Sequence, residues 1–428
     1  MKIVVIGMGY VGLPLALLLS KKNNVIGFDI NSYKIKQLNK NIDETNEINK
    51  KTFEAGRKIL FTNDPVHIKN ADFFIIAVPT PIKKNKEPDL RFLKKATILA
   101  AKNIKNQSVV ILESTVFPGT TEDICVPIIK KISKLKYINK DSYSNNVNGF
   151  YCGFCPERVN PGDKKHTIDK ITKVISGSNN HAIKKIKNLY KSICKKIYIS
   201  NSIKTAEAAK IIENTQRDLN IALINELSKI FRLLKLDTRE VLATAGTKWN
   251  FSKYFPGMVG GHCIGVDPYY LTYKSKNIGF KPNVILAGRK INDGMTNYIL
   301  KNIIRIHKDK NISLFKSKIL FIGCSFKENV TDTRNSKSIE LIKKLNILKA
   351  KIDIFDQVIN EKKILDKNVI KSFENLNKNY YDAIIFSVTH DRFKDLLKKN
   401  YKKFLKTKKN IVIDINGFLP KESSDFRL

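Results

Sequence analysis

What the chain lacks narrows its class before any motif is read. No uninterrupted apolar run of about 18 residues occurs beyond the N-terminus, so the sequence predicts no membrane span. Near the start, Lys2 followed by apolar residues to Leu19 has the look of a secretion signal. Gly7, Gly9 and Gly12 interrupt it, and no small-residue cleavage site follows. Cysteine is sparse, six in 428 residues at irregular spacing. That is no disulfide framework, and it points to a reducing, cytoplasmic setting. Only Cys152 and Cys155 form a CxxC pair; without a second pair or spaced histidines, no metal site is expected. Acidic residues are short as well, 39 against 78 Lys and Arg, for a formal charge of +39. Such an excess invites a nucleic-acid reading. The lysines are spread over the whole chain and no nucleic-acid motif accompanies them, so neither nucleic acid nor membrane is expected as a partner. A basic surface would instead help gather a small anionic substrate.

What is present is enough apolar material, 42% of residues, to fill the two or three domains that the length implies. Lys2 to Ile6 is a short apolar run, GMGYVG follows with Gly7, Gly9 and Gly12, and LPLALLLSKK is helical in character. This reads as strand, tight turn and helix. The first glycine permits the turn, the second lets a pyrophosphate approach the backbone, and the third allows close packing of helix on strand. A second strand, NVIGFD, ends in Asp29. A carboxylate there accepts from both ribose hydroxyls and repels a 2′-phosphate, which favours NAD over NADP.

Further strand-like runs at 72–81 and 108–122 end in turn-forming and hydroxyl residues, as at the ligand crevice of a doubly wound sheet. Thr80 and Thr115 are candidates to line the cofactor site, with helix capping as their alternative role, and Thr120 or Thr121 could supply a cap. KKNKEPD at 83–89 reads as a solvated loop. GFYCGFCPERVNPGD at 149–163 brings Glu157, either a general base for water or a surface ion-pair partner. KVISGS at 173–178 and KIYISN at 196–201 add late strands, and a boundary near residue 200 follows.

From Ser202 to Leu236 the apolar period becomes helical and unusually long, which suggests a spine between domains or a subunit interface. Lys210 and Asn214, four apart, share a face and could meet one ligand or form a solvated stripe. Next comes FPGMVGGHCIGVDPYYL, Phe255 to Leu271, which sets one thiol among glycines with a carboxylate four residues later. Gly260 and Gly261 leave room for a substrate beside the backbone. Cys263 is then either a nucleophile, with Asp267 orienting water or handling a proton, or a structural cysteine in a Gly-rich turn. After a helical segment around 282–306, strands and helices return from Ser317 with KILFIG, KIDIFD, YDAIIFSVTH and NIVIDIN. That is a second, smaller α/β domain. Its first turn has only Gly323, so no second NAD site is expected. Lys327 and Arg334 offer cations to phosphate, with Ser336 near a helix start, or they are exposed loop charges.

In this order, GMGYVG with Asp29, AVPTP, ESTVFPGTT, CPER, AEAAKIIEN, GGHCIGVD and SFKENVTDTR make the chain resemble the UDP-glucose/GDP-mannose dehydrogenase superfamily over nearly its whole length. GGHCIGVDPYYL with CPERVNPG is similar to the branch acting on UDP-N-acetylhexosamines, closest to the N-acetylglucosamine and N-acetylgalactosamine 6-dehydrogenases; UDP-glucose enzymes usually have a smaller residue where His262 stands. Cys324 departs from the family's usual leucine or phenylalanine, which bears on packing more than on chemistry.

The resemblance implies two Rossmann-like doubly wound α/β domains, 1–200 for NAD and 311–428 for UDP, joined by a long-helix dimerisation region at 201–310. It implies a homodimer or larger homo-oligomer and oxidation of a C6 alcohol to a carboxylate by two NAD in succession, for surface polysaccharide precursors. Cys263 is then the nucleophile: it captures the aldehyde as a thiohemiacetal, which is oxidised to a thioester that water cleaves. Lys210 stabilises oxyanion charge, Asn214 positions oxygen or water, Asp267 and Glu157 are the carboxylates for water activation, and Thr115 orients that water. Gly7, Gly9, Tyr10, Val11, Gly12, Asp29, Val78, Thr80, Thr115 and Arg334 fall to the cofactor by the same resemblance. Glu157, Arg158, Lys210, Asn214, Tyr254, Gly260 and Lys327 fall to the substrate.

UDP-N-acetylmannosamine and UDP-glucose remain alternative sugars. A single-step NAD hydroxyacid or phosphosugar dehydrogenase would need no thiol, and a basic nucleic-acid binder with an inactive Rossmann domain is the reading from another class.

Overall fold

The structure, a computed structural model, describes residues 1–43, 48, 52–53, 59–139, 147–158, 167–407 and 409–428. The Val159–Asp163 end of the CPERVNPGD stretch lies outside them. Internal contacts divide the chain into two compact units, Met1–Glu213 with Tyr269–Lys281, and Asn214–Pro268 with Pro282–Leu428.

The first unit is built on strands β1 (Lys2–Ile6), β2 (Asn24–Phe28), β3 (Leu60–Thr62), β4 (Ala71–Ile76), β5 (Ile104–Leu112), β6 (Lys136–Tyr137), β7 (Gly149–Phe154), β8 (Thr172–Gly177) and β9 (Lys196–Ile199). Among the described residues their order is β3-β2-β1-β4-β5-β7-β8-β9, with β6 beside β7. Pairing is parallel except between β7 and β8. Strand β1 shows why the sheet's strands read as unbroken apolar runs. Ile3 and Val5 enter one buried cluster, Val4 and Ile6 the other, because successive side chains point to opposite faces and both faces are covered. Each such side chain stabilises the fold by about 1.5–3 kcal/mol, so a charge at Val5 would disrupt the sheet at its centre.

The second unit repeats the scheme with β10 (Lys318–Ile322), β11 (Lys351–Phe355), β12 (Lys363–Ile364), β13 (Lys367–Ile370), β14 (Ala383–Phe386), β15 (Ile411–Asp414) and β16 (Phe426–Arg427). Their order is β12-β13-β11-β10-β14-β15-β16, antiparallel only between β12 and β13. Ile319 and Phe321 face one core, Leu320 and Ile322 the other. The expected class, two doubly wound α/β sheets, is therefore what forms. In each sheet the strand order reverses beside the first strand, β1 with β4 and β10 with β14, which opens a crevice at the strand C-termini.

The long apolar period becomes one helix, Ile203–Leu233, and a second long helix covers Asn283–Asp309. Among the described residues no helix is long and apolar enough to cross a membrane. The loop at 83–89 is less solvated than its composition predicts. Ile82 bridges Pro88, and Asp89 is buried with both carboxylate oxygens on Arg91.

Candidate active site

At the end of β1 the chain turns through Gly7, whose φ of 98° is open to glycine and strained for other residues. A Cβ there would lie 2.6 Å from the Ala77 carbonyl oxygen, and a Cβ at Gly12 only 1.8 Å from that of Gly7. Gly9 differs: a Cβ would meet nothing within 4 Å, so its backbone faces open space. Helix Gly12–Ser20 begins there with no side-chain cap, leaving its positive end to a ligand. Tyr10 and Val11 occupy the same turn, both partly exposed. Asp29 closes the arrangement. Its Oδ2 accepts from Met8 N at 2.9 Å, its Oδ1 accepts from Asn31 N at 2.9 Å, and Lys34 Nζ lies 3.5 Å away. The carboxylate is thus oriented at the mouth of the crevice. Open backbone at Gly9, an uncapped helix start and an oriented acid together suit NAD.

The second sheet repeats the turn, with Gly323 at φ 85° and Cys324 N donating to Asp356 Oδ2 at 2.7 Å. Here the acid is spent on the protein. Asp356 is buried, also accepts from Val358 N, and has His390 Nε2 3.3 Å away. Burial raises its pKa, but the bond and charge of His390 outweigh that and hold it below the ordinary carboxylate value.

Val78 and Thr80 follow β4. Ser114 Oγ donates to the Val78 carbonyl at 2.7 Å, and the Thr80 carbonyl accepts from Tyr270 OH at 3.0 Å. Thr115 is half-buried between buried Ser114 and Val116. The expected cap by Thr120 or Thr121 is corrected. Thr120 Oγ1 donates back to Phe117 O, and the π-helical turn Thr120–Cys125 is preceded by Gly119. Glu207 of the long helix holds that turn, accepting from Gly119 N at 2.5 Å, Thr121 N at 2.9 Å and Thr121 Oγ1 at 2.6 Å. Burial pushes Glu207 up to about 7, against the lowering effect of these donors.

Glu157 is 7% exposed, which removes its reading as a surface ion-pair partner. It accepts from Arg158 N at 2.6 Å, while the Arg158 guanidinium pairs with Glu213. Beneath lies a buried cluster that the sequence reading missed. Lys173 Nζ donates to both Glu113 oxygens at 2.8 and 2.7 Å and to the Pro156 carbonyl at 3.2 Å, and Tyr190 OH donates to Glu113. Burial pulls the Lys173 ammonium down, and the Glu113 carboxylate more than offsets this. Charged residues flanking apolar strand runs, in VVILE and KVIS, were the available signal.

In the second unit Cys263 is exposed, whereas the other five cysteines are buried. Its carbonyl accepts from Val266 N and Asp267 N at 3.0 and 2.8 Å, and this turn starts helix Asp267–Asn277. Asp267 is buried, and its Oδ2 accepts from Asn214 Nδ2 at 2.6 Å. Lys210 is half-buried one turn earlier on the same helix. Gly260 and Gly261 are required by packing: Cβ atoms there would lie 2.8 Å from Asn335 O and 2.6 Å from the Phe326 ring. His262 Nε2 is 2.7 Å from Asp332 Oδ2, and Asp332 also binds the Arg334 backbone and guanidinium. Burial raises the pKa of Asp332, yet His262 and Arg334 hold it far below the ordinary value. Ser336 does not cap its helix; its hydroxyl donates to Ser325 O at 3.2 Å. Lys327 Nζ lies 5.7 Å from the centre of the Phe326 ring. Tyr254 is half-buried, and Phe255, next to it in sequence, lines a cleft of about 440 Å³ with Arg239, Glu328, Lys394, Lys398 and Phe418. Lys394 is paired with Glu328 and Asp391, and Arg239, Lys398 and two aromatic rings there suit an anionic nucleotide.

The chain matches the UDP-glucose/GDP-mannose dehydrogenase family along three stretches: its NAD binding domain at residues 1–194, its central domain at 204–294 and its UDP binding domain at 320–421. It belongs to that family. A UDP-N-acetyl-D-glucosamine 6-dehydrogenase of Salmonella typhi is 44% identical over 100% of this chain and 98% of its own. One from Pseudomonas aeruginosa is 42% identical over 100% and 99%. A UDP-D-ManNAc dehydrogenase from Pyrococcus horikoshii superposes with TM-score 0.88 at 29% identity, covering 100% and 98% of the two chains. This member of the family is an NAD-dependent nucleotide-sugar dehydrogenase, and Cys324 is buried in a core of its second unit.

Proposed function

We propose that this dehydrogenase oxidises the C6 hydroxymethyl of a UDP-N-acetylhexosamine to a carboxylate in two NAD-dependent steps, for surface polysaccharide precursors. The observation that carries the reading is the exposure of Cys263 within a glycine-rich turn, directly ahead of a buried, hydrogen-bonded Asp267. Residues 1–200 serve the cofactor, 201–310 the cysteine and subunit pairing, and 311–428 the UDP group.

Bound NAD supplies the hydride acceptor for both oxidations. Cys263 as thiolate adds its sulfur to the C6 aldehyde, and the thiohemiacetal keeps one hydrogen on carbon. Loss of that hydrogen with its electron pair leaves a thioester. Water adds to its carbonyl, and the sulfur leaves with the electron pair of the C–S bond. In sum, one alcohol and one water give a carboxylate, two hydrides and three protons.

Lys210 carries the positive charge for the oxyanion, and Asn214 orients Asp267 or the attacking oxygen. Asp267 and Glu157 are the carboxylates that take the water's proton, with Thr115 orienting the water. Arg158, Tyr254, Gly260 and Lys327 hold the substrate. Gly7, Gly9, Tyr10, Val11, Gly12, Asp29, Val78, Thr80 and Arg334 serve the cofactor.

Two relatives more than 40% identical over the full chain support N-acetylglucosamine as the sugar. The likeness to the Pyrococcus enzyme favours UDP-N-acetylmannosamine as the second reading. A panel of UDP-sugars with NAD decides between them. Two NADH per sugar and a carboxylate product are expected, and one NADH per sugar overturns the reaction.

The enzyme works as a homodimer or larger homo-oligomer. Ile212, Leu223 and Ile230 support this, being 54%, 54% and 45% exposed at spacings that place them on one face of the long helix. A cytoplasmic site follows from the need for a reduced thiol. Nucleic acid is no partner; the dispersed positive charge draws in the UDP-sugar.

A further inference from the structure

Cys263 is exposed and lies in turns, with no regular structure from Phe251 to Gly260 ahead of it. Close to the thiol, the Cys263 carbonyl accepts from Val266 N and Asp267 N, and His262 meets Asp332. The segment ahead of it is restrained from between the helices Ile203–Leu233 and Asn283–Asp309. Asn225, Asp218, Arg289 and Asn292 are all 2% exposed or less. Asn225 grips both backbone groups of Gly257: its Oδ1 accepts from Gly257 N at 2.8 Å and its Nδ2 donates to Gly257 O at 3.0 Å. The same Nδ2 donates to Asn292 Oδ1 at 2.8 Å. Asn292 Nδ2 donates to Asp218 Oδ1 at 2.7 Å, where Arg289 Nη1 also donates at 2.6 Å. On the far side of the cysteine, a Cβ at Gly265 would come within 4.0 Å of Arg289 Nη2. The chain of bonds thus runs from Gly257, six residues before Cys263, to the Asp218–Arg289 pair, and Arg289 lies near Gly265 on the other side of the thiol.

The stripe that carries this chain is continuous along one helix. Glu207, Lys210, Asn214, Asp218 and Asn225 follow at spacings of three, four, four and seven residues, all on one face of Ile203–Leu233. Burying four polar side chains is costly unless every one is bonded. An apolar contact would join the helices equally well, but it could not fix the carbonyl and amide of Gly257.

We propose that Asn225, backed by Asn292 and the Asp218–Arg289 pair, is a positioning residue for the nucleophile: it sets the place of the Cys263 thiol through the backbone of Gly257. The inference rests on Cys263 being that nucleophile. Misplacing the thiol penalises capture of the aldehyde more than the first hydride loss, which needs no sulfur.

The test is Asn225→Ala in the full chain, supplied with UDP-N-acetylglucosamine and NAD. The variant is expected to melt cooperatively and to bind NADH as wild type does. Its kcat should fall roughly 10- to 100-fold, with free aldehyde released and NADH per sugar dropping from two toward one. Native alkylation by iodoacetamide, mapped by peptide mass, reads Cys263 because the other cysteines are buried; its rate should change in the variant. Asn292→Ala should act in the same direction, and the double variant should be no worse than Asn225→Ala alone. If Asn225→Ala does not fold, Asn292→Ala is read by the same criteria. A folded variant with two NADH per sugar and an unaltered alkylation rate overturns the proposal. Cys263→Ser separates the two levels. If it still yields two NADH per sugar, the nucleophile reading fails, while the alkylation arm still reports whether Asn225 holds the loop.

Discussion

Asn214 donates from Nδ2 to Asp267 Oδ2 across 2.6 Å, joining the long helix to the first residue of the helix that follows the cysteine turn. The bond fixes Oδ2 of Asp267, whose side chain is buried except for 3% of its surface. An acid so held has a defined direction in which to accept a proton.

Removing that direction should slow hydrolysis of the thioester more than its formation. For Asn214→Ala we expect kcat to fall by on the order of 10²-fold, with acyl-enzyme accumulating on Cys263. Acid-quenched intact-mass spectrometry would detect the added sugar mass. Equal slowing of the first oxidation, without an adduct, would assign Asn214 to the oxyanion instead.

Cys263→Ser keeps the size of the side chain and loses the thiolate. Net turnover to the acid should drop on the order of 10³-fold or more. Product analysis by mass spectrometry should show no carboxylate while NAD still binds. A variant that makes the acid at the wild-type rate would mean that the aldehyde is oxidised as its hydrate, without a sulfur adduct.

Asp29 is already bonded to Met8 N and Asn31 N, so its loss acts on the turn as well as on the ribose. Asp29→Ala should raise the KM for NAD roughly 10- to 100-fold, the worth of hydrogen bonds to a charged group. Discrimination against NADP should shrink in parallel. Steady-state kinetics with both cofactors checks this, and an unchanged ratio would place the selectivity elsewhere.

Asp332 gives the pH dependence. Its folded-state pKa is depressed because His262 and Arg334 more than offset the effect of burial. A depressed value contributes stability that is fully present above about pH 4, the unfolded value, and is lost as pH falls below it. Asp332→Asn should therefore cost about 1–3 kcal/mol at pH 7, with the gap to wild type narrowing near pH 3. Urea melts at the two pH values decide it. A gap that is constant with pH would mean that Asp332 acts through packing alone.

How legible each feature was depends on how far away its cause lies. The β1 turn was readable because three glycines and one acid are demanded locally by a tight bend, a close backbone approach and an oriented carboxylate. The run Ser202–Leu236 was readable as a helix because its apolar period is helical over many turns. The cap expected from Thr120 or Thr121 was misread because the acceptor that holds the turn is Glu207, 86 residues from Thr121. Asp89 looked solvated among lysines, yet it is buried against Arg91. Glu157 had equal claims to surface and crevice until the buried Lys173 placed beneath Pro156 settled its burial.

From the sequence alone came the alternating strands and helices of two α/β domains, the NAD fingerprint, the lone thiol among glycines and the order of motifs that marks the family. These are properties of periodicity and of residues next to one another, and short-range sterics and hydrogen bonding impose them on any chain with that pattern. Only the tertiary structure decided that Asn214 meets Asp267, that Asn225 grips Gly257 and that His262 meets Asp332, since a side chain's partner across 32 to 70 residues depends on where two elements pack together, and no local pattern specifies that meeting point.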